Sequence, residues 1–108
     1  DLGENQLTKI LPGTFNGLGE LQSLNLGQNR IYRMHNTSFA RLNALERLSL
    51  SENKISQLPQ GIFNGLAHLQ ELDISFNDIQ ISKEEFLALY PLPPNAELFF
   101  EPQGPPTE

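Results

Sequence analysis

The stretch Leu45-Glu46-Arg47-Leu48-Ser49-Leu50-Ser51-Glu52-Asn53 decides the fold of this 108-residue chain, because its pattern recurs every 24 residues. The pattern L-x-x-L-x-L-x-x-N occupies residues 21–29 before this stretch. It returns in residues 69–77 after it, where Ile74 replaces the third leucine. Self-similarity at a fixed period of 20 to 50 residues is typical of a solenoid of stacked repeats.

The two ends of the chain carry imperfect copies of the pattern. A half copy that includes Asn5 opens the chain, and a degraded copy around Leu98 closes it, with Glu101 at the asparagine position. The sequence therefore predicts one repeat segment over residues 1–101, followed by a Pro-rich tail over residues 102–108.

Each copy predicts a short strand with one buried face. Side chains alternate across a strand, so Leu24 and Leu26 face the core while Ser23 and Asn25 face outward. Strands of successive copies stack about 4.8 Å apart and form a parallel sheet. Phenylalanines recur once per copy in the returning segments, at Phe15, Phe39 and Phe63. We expect them to form a column inside the coil.

The repeated asparagines lie where the chain leaves each strand. These positions are Asn5, Asn29, Asn53 and Asn77. An amide side chain both donates and accepts hydrogen bonds, so it can satisfy backbone groups that the turn leaves unpaired. We interpret the four asparagines as a structural ladder rather than as ligand-binding residues.

The last copy differs from the others in its returning segment. Ser82-Lys83-Glu84-Glu85 has the form of a capping box, in which Ser82 caps a helix and Glu85 bonds back to it. Pro91 disfavours continuation of a helix. We predict a short helix over about residues 83–90, whereas the other returning segments contain Pro and Gly and are expected to be irregular.

Composition narrows the classes of function. The net charge is -6, there is no cysteine, and no apolar run approaches the roughly 20 residues of a membrane-spanning helix. Residues 1–70 hold six Lys or Arg and five Asp or Glu, whereas residues 71–108 hold one Lys and eight Asp or Glu. Because phosphate binding needs a basic surface, we expect a protein partner rather than a nucleic acid.

Catalytic and metal-binding patterns are not evident. His35 and His68 have no carboxylate or cysteine at metal-ligand spacing. Glu71, Asp73 and Glu97 could approach one another on the sheet, but an open sheet face gives little desolvation. We therefore predict no catalytic residues, no metal and no cofactor.

The outward side chains of the strands do not pack in the core, so these positions are the candidates for recognition. At a constant 24-residue spacing, three columns follow: Ser23, Arg47, Glu71, Asn95; Asn25, Ser49, Asp73, Glu97; and Gly27, Ser51, Ser75, Phe99. The surface thus becomes acidic and aromatic toward its C-terminal end. Exposed aromatic side chains in polar surroundings are typical anchors of interfaces. The predicted partner-binding residues are Arg47, Ser49, Glu71, Asp73, Phe76, Glu97, Phe99 and Phe100.

Two features allow a second interpretation. The alternative for Phe99 and Phe100, of equal weight, is that they pack under the Pro-rich tail as a makeshift end cap. Asn36-Thr37-Ser38 is a glycosylation triplet in a returning segment, away from the sheet. Its alternative is chance, because Asn, Ser and Thr are frequent in this chain.

The full repeat, best seen in Lys54-Ile55-Ser56-Gln57-Leu58-Pro59-Gln60-Gly61-Ile62-Phe63-Asn64-Gly65-Leu66, resembles the typical 24-residue subclass of leucine-rich repeats. That subclass occurs in ectodomains of Toll-like receptors, Slit-type ligands, small proteoglycans and lamprey antigen receptors. The resemblance implies an α/β fold: a right-handed solenoid with a concave parallel sheet, irregular returning segments and no catalysis. It departs from the family in lacking cysteine-rich end caps.

Three functions follow as hypotheses. The first is a recognition module of a larger receptor or adhesion protein, extracellular or at the cell surface, which binds a protein on its concave face. The second is a structural subunit whose uncapped coil ends pack against other chains. The third is an intracellular effector or scaffold with the same repeat.

Overall fold

The computed structural model describes residues 6–11, 13–15, 17–63 and 65–103. Within them, six short strands and one helix follow the repeats. In chain order they are β1 (Lys9–Ile10), β2 (Ser23–Asn25), β3 (Arg33–Met34), β4 (Arg47–Ser49), β5 (Glu71–Asp73), α1 (Lys83–Leu89) and β6 (Glu97–Phe99).

The strands form two parallel sheets on opposite sides of the coils. The larger sheet has the order β2-β4-β5-β6, and its central leucines are in register at Leu24, Leu48, Leu72 and Leu98. The smaller sheet pairs β1 with β3, which belong to returning segments. The chain is thus an α/β solenoid with a concave four-stranded sheet, as the repeat predicts.

The core lies between the two sides of each coil. Leu26, Leu50 and Ile74 follow the strands and are buried. The Phe15 and Phe39 rings stack with centroids 5.9 Å apart, and Phe63 contacts Phe86 of the last coil at 6.5 Å. Each coil therefore buries its apolar side chains largely against its neighbours, and stacking stabilises all of them together.

Helix α1 begins as the capping box predicts. The Ser82 hydroxyl accepts a hydrogen bond from the backbone N–H of Glu85 at 3.1 Å, and the Glu85 carboxylate accepts one from Ser82 N–H at 3.5 Å. Phe86 is the buried residue of the helix, and its ring contacts Tyr90 at 4.9 Å. The prediction of a short helix is confirmed, and the helix ends at Leu89.

The ladder asparagines join successive coils. Asn53 Nδ2 donates to Leu26 O of the preceding coil at 3.0 Å and to Leu50 O of its own coil at 3.0 Å. Its Oδ1 accepts from Ile31 N at 2.9 Å. Asn77 makes the equivalent bonds to Leu50 O and Ile74 O, and its Oδ1 accepts from Ile55 N. Asn29 donates to Leu26 O of its own coil and accepts from Leu7 N of the preceding one. Asn5 lies outside the described residues.

The last coil is two residues longer than the others, which corrects the constant spacing assumed from sequence. Leu98 pairs in register with Leu72, 26 positions earlier, whereas Leu72 pairs with Leu48 at 24. The ladder position therefore falls on Gln103 rather than on Glu101. Gln103 Oε1 accepts from Ile79 N at 3.1 Å, and Nε2 donates to Ile74 O at 2.9 Å.

The last coil also continues beyond the predicted boundary at residue 101. The backbone N–H of Phe76 donates to Pro102 O at 2.6 Å. In the earlier coils the carbonyls of Ser51 and Ser75 accept the equivalent bonds. Residues 102 and 103 thus belong to the solenoid. The rest of the predicted tail, residues 104–108, lies outside the described residues.

The ladder generates the first prediction. Asn53→Ala should lower the free energy of unfolding by at least about 2 kcal/mol, because it leaves the buried Leu26 and Leu50 carbonyls and Ile31 N–H without this partner. Urea denaturation followed by circular dichroism measures the loss. Asn43→Ala, at an exposed asparagine, serves as the matched control and should change stability by less than about 0.5 kcal/mol. Equal losses in the two variants would refute the ladder.

Candidate functional site

The concave sheet presents two columns of outward side chains. The register aligns Ser23, Arg47, Glu71 and Glu97 in one column. It aligns Asn25, Ser49, Asp73 and Phe99 in the other. The columns predicted from sequence are wrong at their last member: Phe99, not Glu97, lies beside Asp73. The 26-residue spacing of the last coil is the cause.

Polar side chains on this face are fixed by local contacts. The Asp73 carboxylate Oδ1 accepts from Ser75 N–H at 3.0 Å and from the Ser75 hydroxyl at 2.6 Å. Arg47 Nε lies 3.8 Å from Glu71 Oε2, an exposed ion pair of small energetic value. Ser49 Oγ lies 3.3 Å from Ser51 Oγ. The Asp73 carboxylate is thus oriented before any partner arrives.

The outward residues border a shallow depression of about 280 Å³. Side chains of β2, β4 and β5 line it, and Phe99 closes one side. The depression brings together Arg47, Ser49, Glu71, Asp73 and Phe99 of the predicted set. Glu97 is exposed in the column beside it, and Phe76 lies in the turn that follows β5.

Two aromatic side chains are exposed at the C-terminal end of the sheet. Phe76 is 55% exposed and Phe99 46% exposed. Phe76 also has a backbone φ of 57°, a left-handed conformation that its equivalents Gln28 and Glu52 share. A bulky residue rarely adopts this region, so Phe76 is a costly choice at this turn.

Phe100, which the sequence predicts as a partner-binding residue, is buried instead. Its side chain is 5% exposed, and its ring packs on that of Phe86 with centroids 5.4 Å apart. The two extra residues of the last coil place Phe100 at the position of Leu50 and Ile74, which is a core position. The two neighbouring phenylalanines therefore face opposite ways: Phe99 faces solvent, and Phe100 packs at the end of the core.

The predicted partner-binding set leaves out two residues that act at this end of the sheet. Ser75 orients Asp73, and the spacing Asp-x-Ser, a common turn pattern, was the available signal. Gln103 carried no such signal, because its role depends on the two extra residues of the last coil.

Other candidate chemistry stays dispersed in the described part of the chain. No group of three or more His, Asp or Glu side chains there is placed to bind a metal ion. Likewise, none of its helices has the length and apolar character needed to cross a bilayer. His35 is exposed in a returning segment, as are His68 and Asn36.

Comparison with known proteins identifies the family. Three overlapping matches to the leucine rich repeat family cover residues 1–55, 20–79 and 43–89. The chain belongs to the leucine-rich repeat family. No curated protein gives a significant match.

Thirty-six chains of solved structures match the fold. Among them is the crystal structure of a TLR13–ssRNA13 complex, which is 36% identical and superposes with a TM-score of 0.73 over 77% of this chain. The match covers 12% of that chain, so the segment corresponds to a small part of such a protein. The resemblance to Toll-like receptor ectodomains is confirmed.

The same comparison corrects the expected partner class. The acidic net charge predicts that a nucleic acid is an unlikely partner, yet a similar structure of the same architecture is a complex with single-stranded RNA. Net charge sums over the whole surface, whereas binding depends on the charge within about 8 to 10 Å of the ligand. The exclusion was therefore wrong.

The division between neighbouring phenylalanines gives a second prediction. Phe100→Ala should lower the free energy of unfolding by about 3 kcal/mol, because it opens a cavity beside Phe86. Phe99→Ala, one residue away on the exposed side, should cost less than about 0.5 kcal/mol. Paired urea titrations measure both values. Similar costs at the two positions would contradict the orientation of β6.

Proposed function

We propose that this segment is a non-enzymatic recognition module that binds a protein partner through the C-terminal half of its concave face. Family membership and the similarity to a receptor-type structure support a recognition role.

The observation that carries the proposal is the pairing of Asp73 with Phe99 on adjacent strands. A carboxylate beside an exposed ring suits a cationic side chain, which can form a charge-assisted hydrogen bond to one and a cation–π contact with the other. Ser75 holds Oδ1 of Asp73, and no partner in the described residues takes Oδ2. Glu71 and Glu97 extend the negative surface along the neighbouring column.

Phe76 supports the same face for an independent reason. The turn requires a left-handed backbone, which costs a bulky residue roughly 1 kcal/mol or more. More than half of the side chain is exposed, so burial in the fold offsets little of that cost. Strain at an exposed aromatic residue is a reason to propose a binding role. We expect Phe76 and Phe99 to anchor a partner whose surface bears Arg or Lys.

A binding series tests this proposal. Proteins selected from a secreted-protein library for binding to the unmodified chain are measured against Phe99→Ala, Phe76→Asn and Asp73→Asn. Each variant should weaken binding at least about tenfold, the range of an interface anchor. Asp73→Asn removes the charge while leaving an oxygen that accepts from Ser75. Phe76→Asn should stabilise the fold by about 0.5 to 1 kcal/mol while it weakens binding, since Asn tolerates the left-handed turn.

Tyr32→Ala is the matched control for this series. Tyr32 is an aromatic residue of similar exposure on the convex side. Unchanged affinity in this variant is expected. A partner that loses affinity with Tyr32→Ala, yet binds all three concave variants normally, would overturn the concave site.

We also propose an extracellular or cell-surface setting in which Asn36 carries a glycan. Asn36 is exposed, and the Ser38 hydroxyl of its triplet donates to Ile10 O at 2.7 Å. The site lies on a returning segment, so a sugar would leave the concave sheet open.

Expression through a eukaryotic secretory pathway tests this setting. The chain should gain the mass of one N-linked glycan, which peptide N-glycosidase removes and Asn36→Gln abolishes. The mutation should not alter partner affinity. A secreted product without added mass would refute the modification.

A nucleic acid is the second ligand class that we propose, because a similar structure is a complex with single-stranded RNA. The strands of the concave sheet carry one cation, Arg47, and it is paired with Glu71. We therefore expect a polyanion to bind a different face of the solenoid.

A further inference from the structure

The convex side has a gap where a third strand is missing. Strand β3 pairs with β1 on one edge, and Tyr32 N donates to Thr8 O at 3.0 Å. On its other edge no corresponding bond joins Ser56 to Tyr32 within the described residues. The Leu58 carbonyl instead accepts a hydrogen bond from the Tyr90 hydroxyl at 2.5 Å.

This gap is a depression of about 300 Å³ with an amphipathic lining. Met34, Leu58 and Pro59 form part of it, and Ser56 and Gln57 contribute a hydroxyl and an amide. Tyr32 and Arg33 line the rim, and Tyr32 is 53% exposed. An aromatic ring beside hydrogen-bonding groups suits a planar heterocycle that stacks and is bonded at its edge.

Four of the seven basic residues of the chain are Arg33, which lines this depression, and three residues that are close to Arg33 in sequence or in stacking register. They are Lys9, Arg30, Arg33 and Lys54, and all are exposed. Lys9 and Arg33 are register partners, so their Cα atoms lie about one strand spacing, roughly 4.8 Å, apart. Arg30 precedes Arg33 by three residues, at most roughly 11 Å of chain.

The cations have fixed anchor points and no ion pair in the described residues. Arg30 N donates to Leu7 O and Lys54 N to Ile31 O, each at 2.9 Å, so the stacked turns hold both backbones. The ion pair recorded there, between Arg47 and Glu71, lies on the other face. Two acidic residues mark the edge of the patch. Glu52 lies two residues before Lys54, and Asp78 lies 24 residues after it, at the same position of the next coil.

We propose that this basic convex surface, formed by Lys9, Arg30, Tyr32, Arg33 and Lys54 with the depression beside them, binds a single-stranded nucleic acid. The proposal rests on the second ligand class proposed above and gives it a location. A base stacks on Tyr32 in the depression, with Ser56 and Gln57 at its edge, while the four cations contact backbone phosphates. Salt screening confines the opposing effect of the acidic C-terminal half to about 8 Å at physiological ionic strength.

Fluorescence anisotropy with a labelled oligouridine of roughly 12 nucleotides tests the site. Arg33→Ala and Lys54→Ala should each weaken binding and reduce the slope of log affinity against log salt by about 0.7, the value for one phosphate contact on a single strand. Tyr32→Ala should weaken binding about 5- to 150-fold and leave the slope unchanged, because stacking releases no counterion.

Arg41→Ala is the charge-matched control, since Arg41 is exposed and lies outside this surface. It should change affinity less than twofold. Absence of binding at about 100 µM protein would overturn both the site and the nucleic-acid ligand. Binding that only Phe99→Ala weakens would overturn the convex site and keep the ligand class. Equal binding of a heparin oligosaccharide that Tyr32→Ala leaves intact would replace the nucleic acid by a sulfated polysaccharide.

Discussion

The structure depends on one amide side chain per coil, which ties each turn to the coil before it. An asparagine at this place satisfies carbonyls and an N–H group that adjacent coils leave unpaired, and burial of the side chain shields these bonds from competing solvent. The bonds are local in geometry but distant in sequence. Stability is therefore a property of the stack, and the leucines and phenylalanines of a coil become a core only when the amides have fixed its neighbours.

Because the same core and hydrogen-bonding positions recur in each coil, most of the fold is predictable from sequence. The repeat places the strands, their register and the ladder, and the Ser82 capping box places the helix. What could not be predicted follows from the length of the last coil, which no repeat copy specifies. Gln103 gave no signal, since a longer amide at an unexpected position is recognisable only when the hydrogen bonds of Ile79 and Ile74 are known.

The residues of the candidate sites were predictable where their position does not depend on the length of the last coil. Arg47, Ser49, Glu71 and Asp73 lie in coils of regular length, and their outward orientation follows from the alternation of the strand. Phe100 was assigned to the surface because constant spacing put it outside the core. The convex surface is not predictable from the sequence for another reason. Net charge averages over the molecule, whereas the pairing of Lys9 with Arg33 depends on a second sheet.

The two extra residues of the last coil have a consequence for how this surface changes. Side chains alternate across a strand, so an insertion of one residue before β6 would turn the core side chains of β6 toward solvent. An insertion of two preserves the alternation: Leu98 and Phe100 stay inside, and the outward positions receive new residues. The neighbour of Asp73 on β6 is thereby the Phe99 ring, whereas a coil of regular length would place the Glu97 carboxylate there. Even-numbered changes of coil length are thus a means of exchanging a recognition surface in one event while the interior keeps its pattern.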